Sequence, residues 1–478
     1  MYEDWYSAQY HQYNDSFNSE WEIFGIRAQP SSELLGPLER LSAQAVFGWL
    51  ESGAQATTQS NDGDILRREF HLIFTRHRQH RAYEINPCYL AFNQETFKKI
   101  LLTLSLPSAY PFMRVNAGAS GNFAKYSTFD ENGSVSQLSF LIRVPHSPRM
   151  NEKAIWSLAC SWNAKTGSTA GLFESLSDED MREVERYFSG KSQQRQHPLF
   201  LPTMLLDLLM VFYISHRRKS EHQLFVVESQ LGITRGQRKT DAWDWDYELH
   251  RDMTKQCNTV YTGLVYLERQ LDFASRLGDF ILQCLAYADE EKVFPEGQKA
   301  CLFRISKEMK ENVLNNQNFA RCQLHQVLCL QKRAQALVSV IYSVVAQKDS
   351  RINVAIAKAA KQDSSSMTAI AILGTIFLPA MLVASMFSMS MFDFSSTSGS
   401  GSVKVSSNFW MFWAVTIPLT FIVLVSWKIW MKFVGKKSVL EDESKKEEEM
   451  VAWKGIPQAH PACNSPFYPK NGYFLLDG

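Results

Sequence analysis

Two uncharged stretches, Met367–Phe392 and Phe409–Trp427, constrain this chain more than any other feature. At about 1.5 Å of rise per residue, each is long enough as a helix to cross a hydrocarbon core roughly 30 Å thick. The loop between them is rich in Ser and Gly. The pattern predicts a C-terminal two-helix transmembrane hairpin, spans at 367–392 and 409–427 and a loop at 393–408. One other apolar run, Leu199–Ile214, is short, follows His197-Pro198 and carries Asp207 at its centre. An Asp at mid-bilayer costs about 2.5–3.5 kcal/mol, so this run is expected to be a buried helix of a soluble domain.

The rest of the composition is ordinary. Lys and Arg number 50 against 49 Asp and Glu, for a net charge of +1, so no global field points to nucleic acid. The eight cysteines form no C-x-x-C pair and read as buried free thiols. Met1–Phe17 is polar, aromatic and acidic, unlike a signal peptide, and its early Glu3 and Asp4 argue against a mitochondrial transit segment. Basic residues flank the spans: Lys348, Arg351, Lys358 and Lys361 before the first, Lys428, Lys432, Lys436 and Lys437 around the end of the second. The loop holds only Lys404 and Asp393. The charge bias places both termini in the cytosol, with the plasma membrane favoured over the mitochondrial one.

Residues 31–197 carry a mixed pattern and are expected to form a cytosolic α/β domain after a flexible segment, 1–30. Alternation in Trp156, Leu158, Cys160 and Trp162 predicts a half-buried strand. The Asp130-Glu131-Asn132-Gly133 turn between Tyr126–Phe129 and Val135–Val144 predicts a hairpin, and Phe70–Phe74 another strand. Helices are expected over Glu33–Glu51 and Asp178–Phe188.

Beyond Pro198 the pattern turns helical, with a helical region over 198–295. Val260, Leu264, Leu267, Leu271, Ala274, Ile281 and Leu285 keep a near-heptad rhythm, as do Val327, Leu330, Ala334, Leu337, Ile341 and Val344. No Pro or Gly lies between Gly297 and Gly374, which predicts a long helical stalk over 298–366 leading into the first span. Asp363-Ser364-Ser365-Ser366 offers capping residues for a break; continuous helix is the simpler geometry. The tail, 436–478, is charged and expected to be disordered.

Thr375-Ile376-Phe377-Leu378-Pro379, then Met386-Phe387-Ser388-Met389-Ser390-Met391 and a second span ending in lysines, resembles the C-terminus of CorA-type magnesium transporters. It is more closely similar to divergent CorA-like membrane proteins of filamentous fungi. The resemblance runs from about Pro198 to Lys437. It implies a homopentamer in membrane lipid, with the first span lining a pore that passes Mg²⁺ or another divalent cation, and no covalently bound cofactor. The family's Gly-Met-Asn mouth corresponds here to Ser388, Met389 and Ser390. Ser390 keeps one oxygen acceptor for the bound waters of a reluctantly dehydrated ion. Stepping back through the span, the implied pore face is Ser385, Met381, Leu378, Gly374, Ile370, Met367 and Ser364; the alternative is packing within a helical hairpin.

Three further clusters concentrate charge. Asp241, Asp244, Asp246, Glu248 and Asp252 suit a regulatory divalent ion or simply the acidic start of a helix. Arg76-His77-Arg78-Gln79-His80-Arg81 reads as a solvated strand end, and His216-Arg217-Arg218-Lys219 as the polar end of a helix. No Gly-rich phosphate loop or catalytic constellation is present, so the chain is not expected to be an enzyme or to bind nucleic acid. A second function class stays open: a hairpin that only anchors and oligomerises a sensing or scaffolding domain.

Overall fold

A computed structural model describes residues 21–28, 38–42, 45–50, 70–77, 90–116, 120–145, 155–233, 247–290, 293–294, 296–388, 410–430 and 432. It divides into two compact units, Met1–Asp349 and Ser350–Gly478.

The first unit is built on a mixed sheet of strands β1 (Trp21–Ala28), β2 (Glu39–Leu41), β3 (Phe70–His77), β4 (Asn122–Phe129), β5 (Val135–Arg143), β6 (Ser157–Asn163) and β7 (Thr169–Leu176). Their order is β2-β1-β3-β7-β6-β5-β4. Every neighbouring pair is antiparallel except β3 and β7, which run parallel at the centre. Helices α1 (Gln94–Thr103) and α2 (Tyr110–Asn116) and a helical turn at 45–50 pack on one face. On the other lie α3 (Asp178–Gly190), α4 (Phe200–Gln230), α5 (Tyr247–Glu290) and the first part of α6 (Lys299–Phe387).

Alternation along the strands feeds both layers. Leu72 and Phe74 face the long helices while Ile73 faces α1 and α2. Phe140 and Ile142 divide in the same way from Leu141, and Leu158 and Cys160 from Ala159. Strand β6 is therefore buried on both faces rather than half-buried, because a helical layer covers each side. The hairpin turn forms as its sequence demands: Gly133 sits at φ +75°, and Asp130 Oδ1 accepts from the backbone N–H groups of Asn132 and Ser134.

The helix expected over Glu33–Glu51 is corrected. Glu39–Leu41 is a strand paired with β1, and among the described residues of that stretch only 45–50 is helical. Gly36-Pro37 explains this, since proline ends a helical pattern within the segment. Gly25 of β1 then makes room for Trp49: a Cβ there would sit 2.6 Å from the indole. The Ser177 capping box starts α3 by pairing with Asp180 in both directions.

Between the sheet and α2, Arg114 Nε donates to Glu174 at 2.8 Å in a fully buried ion pair, and Tyr110 donates to the same carboxylate. The cysteines divide: Cys160, Cys257 and Cys284 are buried as expected, whereas Cys301, Cys322 and Cys329 are exposed on α6. Cys88 and Cys463 lie outside the described residues.

In the second unit, α6 continues to Phe387 without interruption at Asp363–Ser366, and α7 spans Trp410–Trp430. Both are long and apolar enough to cross a membrane. The fold class is thus mixed: an N-terminal α/β domain, a long helix and a C-terminal pair of apolar helices. Segments 1–20, 393–408 and 433–478 lie outside the described residues.

Candidate functional site

Helix α6 carries the candidate site, and its two parts are built on different rules. In the first unit its apolar positions Val327, Leu330, Ala334, Leu337 and Ile341 are buried against α4 and α5. Polar contacts set its register. Asp207 of α4 accepts from Asn312 Nδ2 at 2.8 Å, from Asn316, from Lys191 Nζ at 3.2 Å and from Tyr187. Burial and the Asp207 charge both push the Tyr187 phenol above its ordinary range, so it stays a donor. Farther along, Gln317 Nε2 bonds Asp279 at 2.7 Å and Ser275 O at 3.0 Å, beside Gly278, whose missing Cβ leaves the space. Arg333 grips Glu228 with both its Nη2 and Nε, at 2.8–3.0 Å.

A buried relay ties the start of α6 to the entry of α4. The Leu199 N–H donates to His197 Nδ1 at 3.2 Å, so Nε2 carries the proton toward Ser306 Oγ at 3.0 Å. Burial pushes this imidazole down to about 3, which keeps it neutral.

In the second unit the rule changes. Met367, Ile370, Leu378 and Met381 are 72, 69, 64 and 71% exposed, and the intervening Leu373, Phe377 and Leu382 are exposed as well. Ser364, Gly374 and Ser385 are exposed too. Such an apolar surface around a helix demands a solvent or partner other than water. The hydroxyls of this part bond into their own helix: Thr368 to Ser364 O, Thr375 to Ala371 O and Ser385 to Leu382 O, at 2.7–2.9 Å. Having donated, Ser385 keeps oxygen lone pairs for an outside donor. Pro379 lies inside the helix and has no N–H for the Thr375 carbonyl.

The three mouth positions fare unequally. Ser388 is an exposed turn residue just past the helix, its N–H donating to Ala384 O at 3.0 Å. Met389 and Ser390 lie outside the described residues. So do Asp241, Asp244 and Asp246 of the acidic cluster. Glu248 and Asp252 are exposed on the first turns of α5, each 3.9 Å from Arg251. Among the described residues no three His, Cys, Asp or Glu side chains converge on a metal-sized site.

Of the basic clusters, Arg76 is paired with Glu22 and Asp178, and 78–81 fall outside the described residues. His216-Arg217-Arg218-Lys219 is not a helix end. Helix α4 continues to Gln230 because Leu224 and Val227 remain buried. His216 is buried with neither ring nitrogen hydrogen-bonded, and burial, aided by Lys219, lowers its pKa to about 4.

Sequence reasoning missed the hub at Asp207. Its signal lies in the sequence: a carboxylate inside an apolar run argues against a membrane span and equally for an internal partner set. It also missed a groove of about 640 Å³ between the first turns of α5 and Ile341–Val345 of α6. Nothing in periodicity reports a gap between two helices.

No protein-family profile matches the chain. A curated protein of Aspergillus versicolor, described as "Notoamide biosynthesis cluster protein M'", is 39% identical over 61 residues, which is 13% of each chain. Among solved structures, the full-length CmaX protein aligns over 86% of this chain and 99% of its own, with 12% identity and a TM-score of 0.35. The cytoplasmic domain of ZntB from Vibrio parahaemolyticus aligns over 66% of this chain and 97% of its own, with 9% identity and a TM-score of 0.33. The soluble domain of CorA from Methanocaldococcus jannaschii gives the same coverages and TM-score, at 10% identity. Overlap at this level establishes neither the family nor the activity of this chain.

Proposed function

We propose that this chain is a two-span membrane protein of CorA-like design that conducts divalent cations, with Mg²⁺ as the leading substrate, passively through a homo-oligomeric pore. The observation that carries the reading is α6 itself. It is packed into the core of an α/β unit over Leu302–Ile341 and continues as an apolar helix exposed on nearly all sides, followed by a second such helix. Water does not suit that surface, while lipid on one side and a neighbouring subunit on the other would. The Thr375-Ile376-Phe377-Leu378-Pro379 block supports the family assignment.

In this reading five copies bring their first spans together, with both chain ends in the cytosol at the plasma membrane. Met367, Ile370 and Leu378 form apolar rings that close the path by dewetting, and Met381 lines it as well. Ser364, Gly374 and Ser385 supply room and acceptor oxygens. At the mouth, Ser388, Met389 and Ser390 meet the hydrated ion, the Ser390 oxygen accepting from its bound water. Asp241, Asp244, Asp246, Glu248 and Asp252 form a regulatory cation site that reports cytosolic ion level to the pore.

A second reading rests on one observation. Ser-Met-Ser replaces Gly-Met-Asn, and the following loop holds Asp393 as its sole carboxylate. These favour a hairpin that anchors an oligomeric scaffold or sensor without conducting.

Growth rescue at low Mg²⁺ in a host lacking its own importers separates the two readings. Rescue by the native chain supports conduction. If surface-expressed, assembled protein fails, and the Ser388→Gly/Ser390→Asn double variant fails as well, conduction is refuted and the scaffold reading stands.

A further inference from the structure

The groove between α5 and α6 shares no residue with the proposed pore, and its chemistry is one-sided. Among the described residues eleven line it and none of these is acidic, although the chain as a whole is nearly neutral. Arg251, Lys255, Asn258 and Thr262 follow one another along α5 at spacings of four, three and four residues, which puts them on a single face. Three nearby carboxylates do not line the groove: Glu248 and Asp252 approach Arg251 at 3.9 Å, the outer limit of an ion pair, and Asp349 accepts from the hydroxyl of the lining Tyr247.

The hydroxyls have a defined polarity. Thr254, Thr259 and Thr262 each donate to the carbonyl four residues back, at 2.8–2.9 Å. Their oxygens are left as acceptors, suited to the hydroxyl groups of a ligand rather than to its anionic end. Opposite them, α6 contributes an apolar floor of Ile341 and Val345 and the Tyr342 ring, which is 63% exposed and available for stacking.

We infer that this groove binds a phosphate ester carried on a hydroxylated ring. Arg251 and Lys255 take the phosphate, the threonine oxygens and Asn258 take the ring hydroxyls, and Tyr342 covers the ring face. A cavity of about 640 Å³ falls within the range of small-molecule sites. The chemistry is common to a free mononucleotide or sugar phosphate and to a phosphorylated inositol headgroup in a bilayer. Its cationic lining would reject the divalent ions assigned to the pore, so the site stands or falls apart from the conduction reading.

The test uses full-length protein in nanodiscs. AMP and inositol phosphate are titrated calorimetrically, and thermal unfolding is compared in nanodiscs with and without phosphatidylinositol phosphate. Saturable binding of a soluble probe, weakened about tenfold for each of Arg251→Gln and Lys255→Gln, identifies a free ligand. Stabilisation only in the doped nanodiscs, lost in the same variants, identifies the headgroup. An Arg304→Gln variant removes an exposed charge of α6 outside the groove and should leave either signal unchanged. The inference is overturned if neither probe nor lipid gives a signal, or if Arg304→Gln weakens binding as much as the groove variants. Thr262→Val, which keeps shape and charge, should cost several-fold where the charge variants fail to fold.

Discussion

Two stretches of one helix obey opposite rules. Over Leu302–Ile341, α6 buries a single stripe at mostly three- or four-residue spacing, apolar but for Ser306 and Gln317, and bonds Asn312, Gln317 and Arg333 to Asp207, Asp279 and Glu228. Over Met367–Met386 it is apolar on nearly every side and bonds its hydroxyls back into its own backbone. The same secondary structure carries both, and the second surface is long and apolar enough to cross a membrane. Where water surrounds a helix, one face must hide and the others may pair; where lipid or a like helix surrounds it, every backbone group must be satisfied within the helix.

The largest effect that sharpens this contrast comes from paired truncations. Leu337, 2% exposed, should cost about 2–5 kcal/mol on Leu337→Ala, read as a lowered denaturation midpoint of the N-terminal unit in detergent-solubilised protein. Leu378→Ala should shift that midpoint by no more than about 0.5 kcal/mol while changing ion flux. Equal destabilisation by the two would erase the distinction between the stretches.

Next in size is the polar anchor of α6. Asp207→Leu strands the amides of Asn312 and Asn316 and the Lys191 ammonium, for an expected loss of about 1–3 kcal/mol. Asp207→Asn keeps an acceptor and should lose less. Hydrogen exchange along α6 locates the damage: faster exchange confined to the segment around Asn312 fits the anchoring role, and unchanged exchange there contradicts it.

An acid effect follows from three buried imidazoles. Burial lowers His71 to about 4, with help from Arg27, His197 to about 3, and His216 to about 4, each from an ordinary 6.5. Between those values the unfolded chain binds more protons than the folded one, so stability is full above about pH 6.5 and falls steadily toward about pH 4. Melting temperatures across that window should show the slope, and His197→Gln should flatten it. A flat profile in the native protein would mean these rings are not buried neutral. The second unit contributes no histidine among residues 350–430, so the slope belongs to the first.

The smallest effect concerns the exposed acids. Glu248→Gln and Asp252→Asn break contacts of 3.9 Å between largely exposed groups, and stability should change by less than about 0.5 kcal/mol. If these acids bind a regulatory ion, the stabilisation that Mg²⁺ confers in a thermal melt should drop in the double variant. No drop removes them from the proposed cation site.

Much of this architecture was legible in the chain. Periodicity of two marked β6, the Phe70–Phe74 run marked β3, the Asp-Glu-Asn-Gly turn marked the β4–β5 hairpin, and near-heptads marked α5 and the core-packed part of α6. These signals are local, because an amphipathic element writes its burial pattern into consecutive residues. The start of the sheet was misread twice: Trp21–Ala28, expected within a flexible segment 1–30, is strand β1 paired with β2 and β3, and β2 was hidden where Gly36-Pro37 was passed over. The apolar alternation of β6 could not tell one covering layer from two. The apolar stripe of the candidate pore could be listed by position, but which of its residues face an axis depends on neighbours outside the chain.

The sequence by itself determined that part of this protein is unsuited to water, and that a long helix leads into that part, since hydropathy and spacing are properties of consecutive residues. Only the tertiary structure decided that Asp207 is a hub for α3, α4 and α6, that Arg114 and Glu174 meet across 60 residues, and that a cationic groove opens beside α5. Those arrangements depend on which distant side chains arrive at one place. A polar residue in an apolar run signals that it needs a partner, but only the fold supplies one.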